Sequence, residues 1–197
     1  MSPATFKKFV ALLRVMHGYT IITVGGGEPT MHKHCTDFVW YLIKETYPER
    51  RELGAPSVSM ITNGSRKSVV LNLISMAEDN LILLSLSFDQ YHDRRLVDET
   101  VIDRFRTSRS DAVSVRGYIH GVSPIGRAAE NQLPVNPYSL DRCTCPGIFI
   151  NPLGNLYMCG CQEVCFGNLH THSPESLYDI MRDFEDDEGN IICSKEL

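Results

Sequence analysis

The chain has 197 residues, a formal net charge of -5 and an ordinary share of charged residues, 22%. This length suits one sizeable core, or one domain with an appendage. The acidic balance offers no electrostatic footprint for nucleic acid, so we expect no nucleic-acid partner. No apolar run approaches the ~20 residues that a membrane helix requires, and no secretory signal is recognisable. We therefore expect no membrane partner and a cytoplasmic, reducing location.

Helical and strand-like patterns alternate through the first two thirds of the chain. The first helix begins at Pro3, with Ser2 as its N-cap, and Gly18 ends it. Strands alternating with helices indicate parallel strands joined by right-handed crossovers, in an open parallel sheet or a partial barrel. The patterns predict strands over 20–24, 57–62, 80–88 and 112–118, and helices over 36–47, 68–78 and 96–106. The third strand is apolar almost throughout, which predicts that it is covered on both faces.

Unusual glycine and polar clusters follow these strands. The first strand is followed by Gly25-Gly26-Gly27-Glu28-Pro29, and the second ends in Thr62-Asn63-Gly64. The end of the third strand carries Ser85, Ser87 and Asp89, and His92 follows closely. The carboxyl ends of parallel strands meet at one edge, where α/β proteins keep their sites. Glycines admit a ligand close to the backbone, and a carboxylate suits a cationic amine. The alternative is a tight turn with a solvated glutamate and, for His92, an ordinary surface loop histidine.

The composition changes near Asn131, where prolines and asparagines predict a linker. We therefore place a boundary between a first domain, 1–130, and an extension, 131–197. The extension is predicted to contain a hairpin turning at 152–155 and a short helix that begins at Pro174 after Ser173 as its cap. The acidic tail at 185–188 reads as solvated surface.

The cysteines of the extension suggest a metal centre. The chain has seven cysteines, five of them between Cys143 and Cys165, and clustering in a chain without a secretory signal favours metal over disulfides. Four thiolates suit either an iron-sulfur cluster or Zn²⁺. A small extension with few apolar residues also needs a staple to fold. The candidate ligands are Cys143, Cys145, Cys159, Cys161 and Cys165.

Other cysteine and histidine readings stay open. The five clustered thiols could be reduced side chains that pack a small subdomain. Cys35 reads as a small buried apolar residue. A cation site at His32, His34 and Cys35 is an alternative, although alternating histidines in a loop are more often ordinary surface residues.

Taken together, these motifs resemble the radical SAM superfamily with a SPASM or twitch-like C-terminal extension. The resemblance rests on Gly26-Gly27-Glu28-Pro29, Thr62-Asn63-Gly64, Ser85-Leu86-Ser87-Phe88-Asp89, and the cysteine hairpin followed by Gly167-Asn168-Leu169. It implies a partial (β/α) barrel plus a small Cys-rich subdomain. It also implies that Gly26, Gly27 and Glu28 hold the amino end of S-adenosylmethionine, that Asn63 lies at the next strand end, and that Ser85, Ser87 and Asp89 contact the cofactor's ribose and carboxylate.

One part of the family pattern is missing. Radical chemistry in the family uses a [4Fe-4S] cluster on CxxxCxxC after a first strand, and neither that motif nor that strand occurs in these 197 residues. Either Met1 is internal to a longer protein, or the gene encodes a shortened relative. We expect no radical chemistry from this chain unaided and doubtful S-adenosylmethionine binding without that cluster.

Two functions follow from this reading. The first is the body of an enzyme that modifies a peptide, a protein or a small molecule through S-adenosylmethionine and iron-sulfur clusters. The alternative is a non-enzymatic, metal-stapled binding or regulatory protein. In that case a protein or peptide partner, or a second copy of the chain, would cover the exposed barrel edge.

Overall fold

The computed structural model describes residues 1–16, 21–46, 54–89, 92–117, 148–157, 160, 162 and 164–186. The chain divides into two compact units, Gly18–Ile119 and Met1–His17 with His120–Leu197. The predicted linker and the predicted boundary between residues 130 and 131 lie outside the described residues. Among the helices of the described part, none combines the length and the apolar character needed to cross a bilayer.

The elements run in the predicted alternating order. The helices are α1 (Pro3–Val15), α2 (Cys35–Glu45), α3 (Lys67–Glu78), α4 (Glu99–Thr107) and α5 (Pro174–Asp186), with 3-10 turns at Pro29–Met31 and Arg94–Leu96. The strands are β1 (Ile22–Val24), β2 (Val58–Thr62), β3 (Leu83–Ser87), β4 (Val113–Arg116), β5 (Phe149–Ile150), β6 (Asn155–Tyr157) and β7 (Cys165–Asn168).

The first unit is a parallel four-stranded sheet in the order β1-β2-β3-β4. Each strand therefore lies next to its successor, and every crossover steps in the same direction. Because parallel crossovers are right-handed, successive helices then fall on the same face of the sheet. That arrangement is typical of (β/α) barrels, whereas doubly wound sheets reverse the strand order and carry helices on both faces. The fold class is thus α/β with a parallel sheet, compatible with a partial barrel.

The two faces of this sheet differ in burial. The buried face carries Val58, Met60, Leu84 and Leu86, each no more than 1% exposed. The opposite face is half-buried or exposed and is rich in small hydroxyl side chains: Thr23, Ser59, Ser85, Ser87 and Ser114. The third strand was predicted to be covered on both faces, but only one face of β3 is fully buried and the residues of the other are half-buried.

Two predicted bounds changed for local reasons. The third strand starts at Leu83 and not at residue 80, because Asn80 takes a left-handed φ of 56° in the turn after α3. The predicted helix from Leu96 begins at Glu99, since Asp98 caps its first turn by accepting from the Thr100 backbone N–H. As a result Leu96, the first residue of the predicted helix, lies before the helix and is 62% exposed.

The second unit joins the chain's first helix to its C-terminal segment. Strands β5 and β6 form the predicted antiparallel hairpin, and β7, which the sequence analysis did not predict, pairs with β6. Helix α5 begins at Pro174 as predicted, with the Ser173 hydroxyl accepting from the Ser176 backbone N–H. Ile180 on this helix is 36% exposed.

Helix α1 completes the core of this second unit. The core is built from Leu12, Leu156, Leu169, Leu177 and Met181, with Phe9 and Phe166 packed against it. A hydrogen bond of 3.1 Å between Thr5 Oγ1 and His170 Nε2 also ties α1 to the turn after β7. Because α1 contributes part of this apolar core, a lack of apolar residues in the extension is not by itself a reason to expect a metal there.

Candidate functional site

A ledge of three exposed glycines follows β1. The φ angles of Gly26 and Gly27 are 85° and 59°, a region in which side chains are strained. No heavy atom lies within 4 Å of the position that a Cβ would occupy at Gly25, Gly26 or Gly27. The backbone of this glycine ledge (Gly25 to Gly27) is thus open to close approach by another molecule.

Glu28 binds the end of β1 to the end of β2. Its Oε1 accepts from the Thr30 backbone N–H (3.1 Å), the Thr30 hydroxyl (2.5 Å) and the Thr62 hydroxyl (2.7 Å). Its Oε2 accepts from the Asn63 backbone N–H at 2.5 Å. The carboxylate therefore caps the 3-10 turn and crosslinks two neighbouring strand ends. The solvated glutamate of the alternative reading does not occur.

The charge of Glu28 also affects a nearby thiol. Burial, and secondarily the carboxylate of Glu28, raise the pKa of Cys35 to about 11. Cys35 is buried, with 6% exposure, in agreement with its reading as a small apolar residue. At neutral pH it is a neutral thiol, which is a poor nucleophile and a poor metal ligand.

The corner after β2 is held by its own side chains. Asn63 Oδ1 accepts from the Ser65 backbone N–H at 3.0 Å, and Thr62 Oγ1 accepts from the Gly64 backbone N–H at 3.1 Å. Gly64 has a φ of 80°, and a Cβ there would lie 2.9 Å from Leu86 Cδ1 and 2.9 Å from a Val97 methyl carbon. A side chain at Gly64 would be strained by the positive φ and would have to displace Leu86 or Val97, so glycine is favoured there. The corner leaves Asn63 directly after β2, at the same sheet edge as Glu28.

Ser85 and Ser87 lie on the open face of β3, because residues two apart share a face of a strand. The Ser85 hydroxyl is 2.8 Å from that of Ser114, its register partner on β4. Ser87 stands in register with Arg116, whose side chain is exposed. Ser114 and Arg116 were not among the predicted site residues, although the alternation of apolar and polar residues over Val113–Arg116 could have indicated them.

Asp89 differs from the two serines. It lies beyond the end of β3, where strand alternation no longer applies, and it is 4% exposed. Its Oδ1 is 2.8 Å from Nδ1 of His92, whose side chain is 38% exposed. The carboxylate therefore faces a neighbouring imidazole, and the imidazole is the more accessible group of the two.

The predicted metal ligands fall mostly outside the described residues. Cys143, Cys145, Cys159 and Cys161 belong to that undescribed part, while Cys165 lies exposed on β7 with its thiol 3.5 Å from the Gly167 carbonyl. Within the described ranges, no three His, Cys, Asp or Glu side chains are placed to hold a metal ion. The alternative cation site at His32, His34 and Cys35 is therefore not assembled. There, the two imidazoles stack near Phe38, with ring centroids 5.2–5.8 Å apart.

The fold and this edge together define an α/β scaffold with a glycine-lined candidate site at the carboxyl ends of its parallel strands. Its fold is similar to that of anSMEcpe, an anaerobic sulfatase-maturating enzyme of the radical SAM, SPASM type. The match to polyhistidine-tagged anSMEcpe with bound AdoMet has a TM-score of 0.54 and 14% identity, and covers 93% of this chain and 74% of that one. The match to native anSMEcpe with bound AdoMet and the Cp18Cys peptide has a TM-score of 0.53, with the same identity and coverage.

These solved structures support a likeness of fold. At 14% identity the likeness is one of fold alone and assigns no residue a role. No protein-family model matches the sequence, and no curated protein matches it either.

Proposed function

We propose that this chain is a radical SAM-like scaffold whose glycine ledge takes the amino end of S-adenosylmethionine. The observation that carries the proposal is the crosslink from Glu28 to Thr62 and Asn63, which holds an open ledge against the next strand end. The similar fold of anSMEcpe, solved with bound AdoMet, supports it. The substrate class we propose is a peptide or protein, because the same enzyme has been solved with a bound peptide. A small-molecule substrate remains the second choice.

The residues at this edge fit that cofactor. The ledge has room where a Cβ would otherwise stand, so backbone carbonyls of Gly26 and Gly27 can accept from an ammonium group. Because Glu28 already accepts four local hydrogen bonds, we assign it chiefly to holding the ledge in place. Asn63 and the hydroxyls of Ser85 and Ser87 are the proposed contacts to the rest of the cofactor. When bound with a reduced cluster, S-adenosylmethionine would supply the radical chemistry.

Isotope-edited NMR with S-adenosylmethionine tests the site. We expect weak, fast-exchange binding that shifts the backbone amides of Gly26 and Gly27. Gly27→Ala should abolish these shifts, because its Cβ enters the ledge. Gly54→Ala is the matched control, since Gly54 also has positive φ (65°) and no heavy atom within 4 Å of its Cβ position. An absence of amide shifts at the ledge, or equal effects of the two variants, would refute the site.

We further propose that these 197 residues make no radical unaided, since they contain no CxxxCxxC. A low-potential electron donor is required to cleave the sulfonium, and no described residue provides one. The test is anaerobic incubation with S-adenosylmethionine, iron, sulfide and dithionite. We expect no 5′-deoxyadenosine, and its stoichiometric formation would overturn this part of the proposal. A tight isotherm with S-adenosylmethionine alone would contradict the expected weak binding.

The C-terminal thiols remain a proposed metal centre, holding either an iron-sulfur cluster or Zn²⁺. The support from the structure is Cys165, which is exposed and lies on the strand paired with β6. We expect about one metal centre per chain after anaerobic purification, and Cys165→Ser should lower that content. Cys35→Ser is the control, because Cys35 is buried in the other unit. Metal analysis that finds neither zinc nor iron would refute this centre.

A binding or regulatory role is kept as a second candidate because of the sheet edge at β1. Among the described strands, β1 pairs with β2 alone, and Ile21 just before it is 51% exposed. An edge of this kind favours strand addition by a peptide, a protein partner or a second copy. Light scattering at increasing concentration tests self-association, and Ile21→Lys should suppress it. A concentration-independent monomer that captures no peptide would refute this role.

A further inference from the structure

A buried carboxylate orients the imidazole of His92 at the carboxyl end of β3. The Asp89 side chain is 6% exposed, and its Oδ1 lies 2.8 Å from His92 Nδ1. The backbone N–H of His92 also points to the Asp89 carbonyl at 3.5 Å, so the two residues close one turn. A carboxylate only accepts hydrogen bonds, so Nδ1 carries the hydrogen. In the neutral ring the lone pair is then on Nε2.

The chain contains a second histidine–carboxylate pair that serves as a built-in comparison. His34 Nδ1 and Asp37 Oδ2 are 3.4 Å apart, and Asp37 is 78% exposed. The two imidazoles are similarly accessible, with 34% exposure for His34 and 38% for His92. The pairs therefore differ in distance and in burial of the carboxylate, and hardly in access to the ring. Burial strengthens the short hydrogen bond, because water screens it less.

His92 lies where it could contact a ligand bound at the sheet edge. Asp89 follows β3, so His92 lies at the edge of the sheet where the glycine ledge and Asn63 also lie. The open face that leads to this edge carries the half-buried hydroxyls of Ser85 and Ser87. Small hydroxyl side chains leave room for a polar ligand and offer it hydrogen bonds.

We propose that Asp89 and His92 form a proton-accepting pair for a polar ligand with a hydroxyl or amine group. Nε2 of His92 takes the proton: the ligand's O–H or N–H bond breaks, its electron pair stays on the ligand, and an Nε2–H bond forms. The imidazolium is balanced by the Asp89 carboxylate, which keeps its charge throughout. His92 is the catalytic residue and Asp89 the positioning residue. This assignment goes beyond the proposed cofactor role and does not depend on S-adenosylmethionine.

Selective acylation measures the reactivity of Nε2. Diethyl pyrocarbonate acylates unprotonated imidazole nitrogen, and peptide mass spectrometry of the full chain gives a rate for each histidine. We expect His92 to react several-fold faster than His34, because the short hydrogen bond to Asp89 holds the hydrogen on Nδ1 and leaves the lone pair of Nε2 free to attack the reagent. Asp89→Asn should remove that advantage, whereas Asp37→Asn should leave the rate of His34 unchanged. Equal rates for the two histidines, or no effect of Asp89→Asn, would overturn the proposal.

Ring tautomers provide a second measurement that needs no variant. Nitrogen-15 NMR at about pH 8, where an ordinary imidazole is neutral, reads which ring nitrogen carries the hydrogen. We expect the Nδ1–H tautomer at His92 and a mixture at His34. An Nε2–H tautomer at His92 would overturn the proposal even if Asp89→Asn failed to fold. Neither measurement uses S-adenosylmethionine, so failure of the cofactor site and failure of this pair are distinguishable.

Discussion

Replacing Glu28 by glutamine tests whether this side chain holds the candidate site together. Glutamine keeps one carbonyl oxygen, which can stay with the three donors from Thr30 and Thr62. Its NH₂ group then faces the Asn63 backbone N–H, so that two donors oppose each other. The change is close to isosteric and removes no packing volume. Any loss of stability therefore reports on the hydrogen bonds.

The magnitude follows from the four contacts. Leaving the Asn63 N–H without an acceptor costs about 1–3 kcal/mol, and each of the other three hydrogen bonds loses about 1 kcal/mol when its acceptor becomes neutral. Those terms sum to about 5 kcal/mol. Glu28 is half-buried, so screening by water reduces the total to about 2–3 kcal/mol.

Urea denaturation at neutral pH measures the free energy of unfolding. The matched control is Glu78→Gln, because Glu78 is also half-buried and, among the described residues, forms a single ion pair, with Arg104. We expect a cost below about 1 kcal/mol there. Hydrogen exchange adds a local readout, since the Asn63 amide should lose protection in Glu28→Gln. If Glu28→Gln cost no more than Glu78→Gln and left that amide protected, the crosslinking role of Glu28 would be refuted.

Three further changes test other parts of the structure. Gly64→Ala should cost about 2–4 kcal/mol from strain and crowding, against about 1 kcal/mol for Gly54→Ala, where φ is also positive but space is open; equal costs by urea denaturation would contradict this. Cys35, whose pKa is raised from 9.0 to about 11, should be alkylated more slowly than the exposed Cys165. The free energy of unfolding should fall as the pH rises from 9.0 to about 11, because the thiol of the unfolded chain loses its proton first. Leu177→Ala should lower the free energy of unfolding by about 2–5 kcal/mol and speed amide hydrogen exchange in α1. Unchanged hydrogen exchange in α1 would contradict the shared core.

Much of the fold could be predicted from local patterns. Helical periodicity and caps located α1, α3 and α5 to within a residue at their starts, because apolar spacing and the Ser2 and Ser173 caps are local signals. The strand-helix alternation predicted a parallel sheet, and β1 to β4 form one. The predicted start of a strand was wrong where a turn residue precedes an apolar run, as Asn80 does before β3.

The candidate site was predictable in position and unpredictable in its contacts. That polar residues follow the strands is visible in the sequence, and parallel strand ends meet at one edge. The sequence does not show that Glu28 accepts hydrogen bonds from Thr30, Thr62 and Asn63, since Thr62 and Asn63 lie 34 and 35 residues away. The burial of Asp89 against His92 also depends on the turn after β3 and on no periodic pattern.

The sequence by itself determined which elements form and in which order, because helix and strand periodicity, caps and glycine turns act within a few residues. It also determined that a glycine ledge and a carboxylate arrive together at the end of β1. The tertiary structure alone decided that Glu28 locks that ledge to β2, and that α1 completes a core with α5. Both outcomes depend on contacts between residues far apart in the chain, whose free energy comes from burial and hydrogen bonding once the elements have packed.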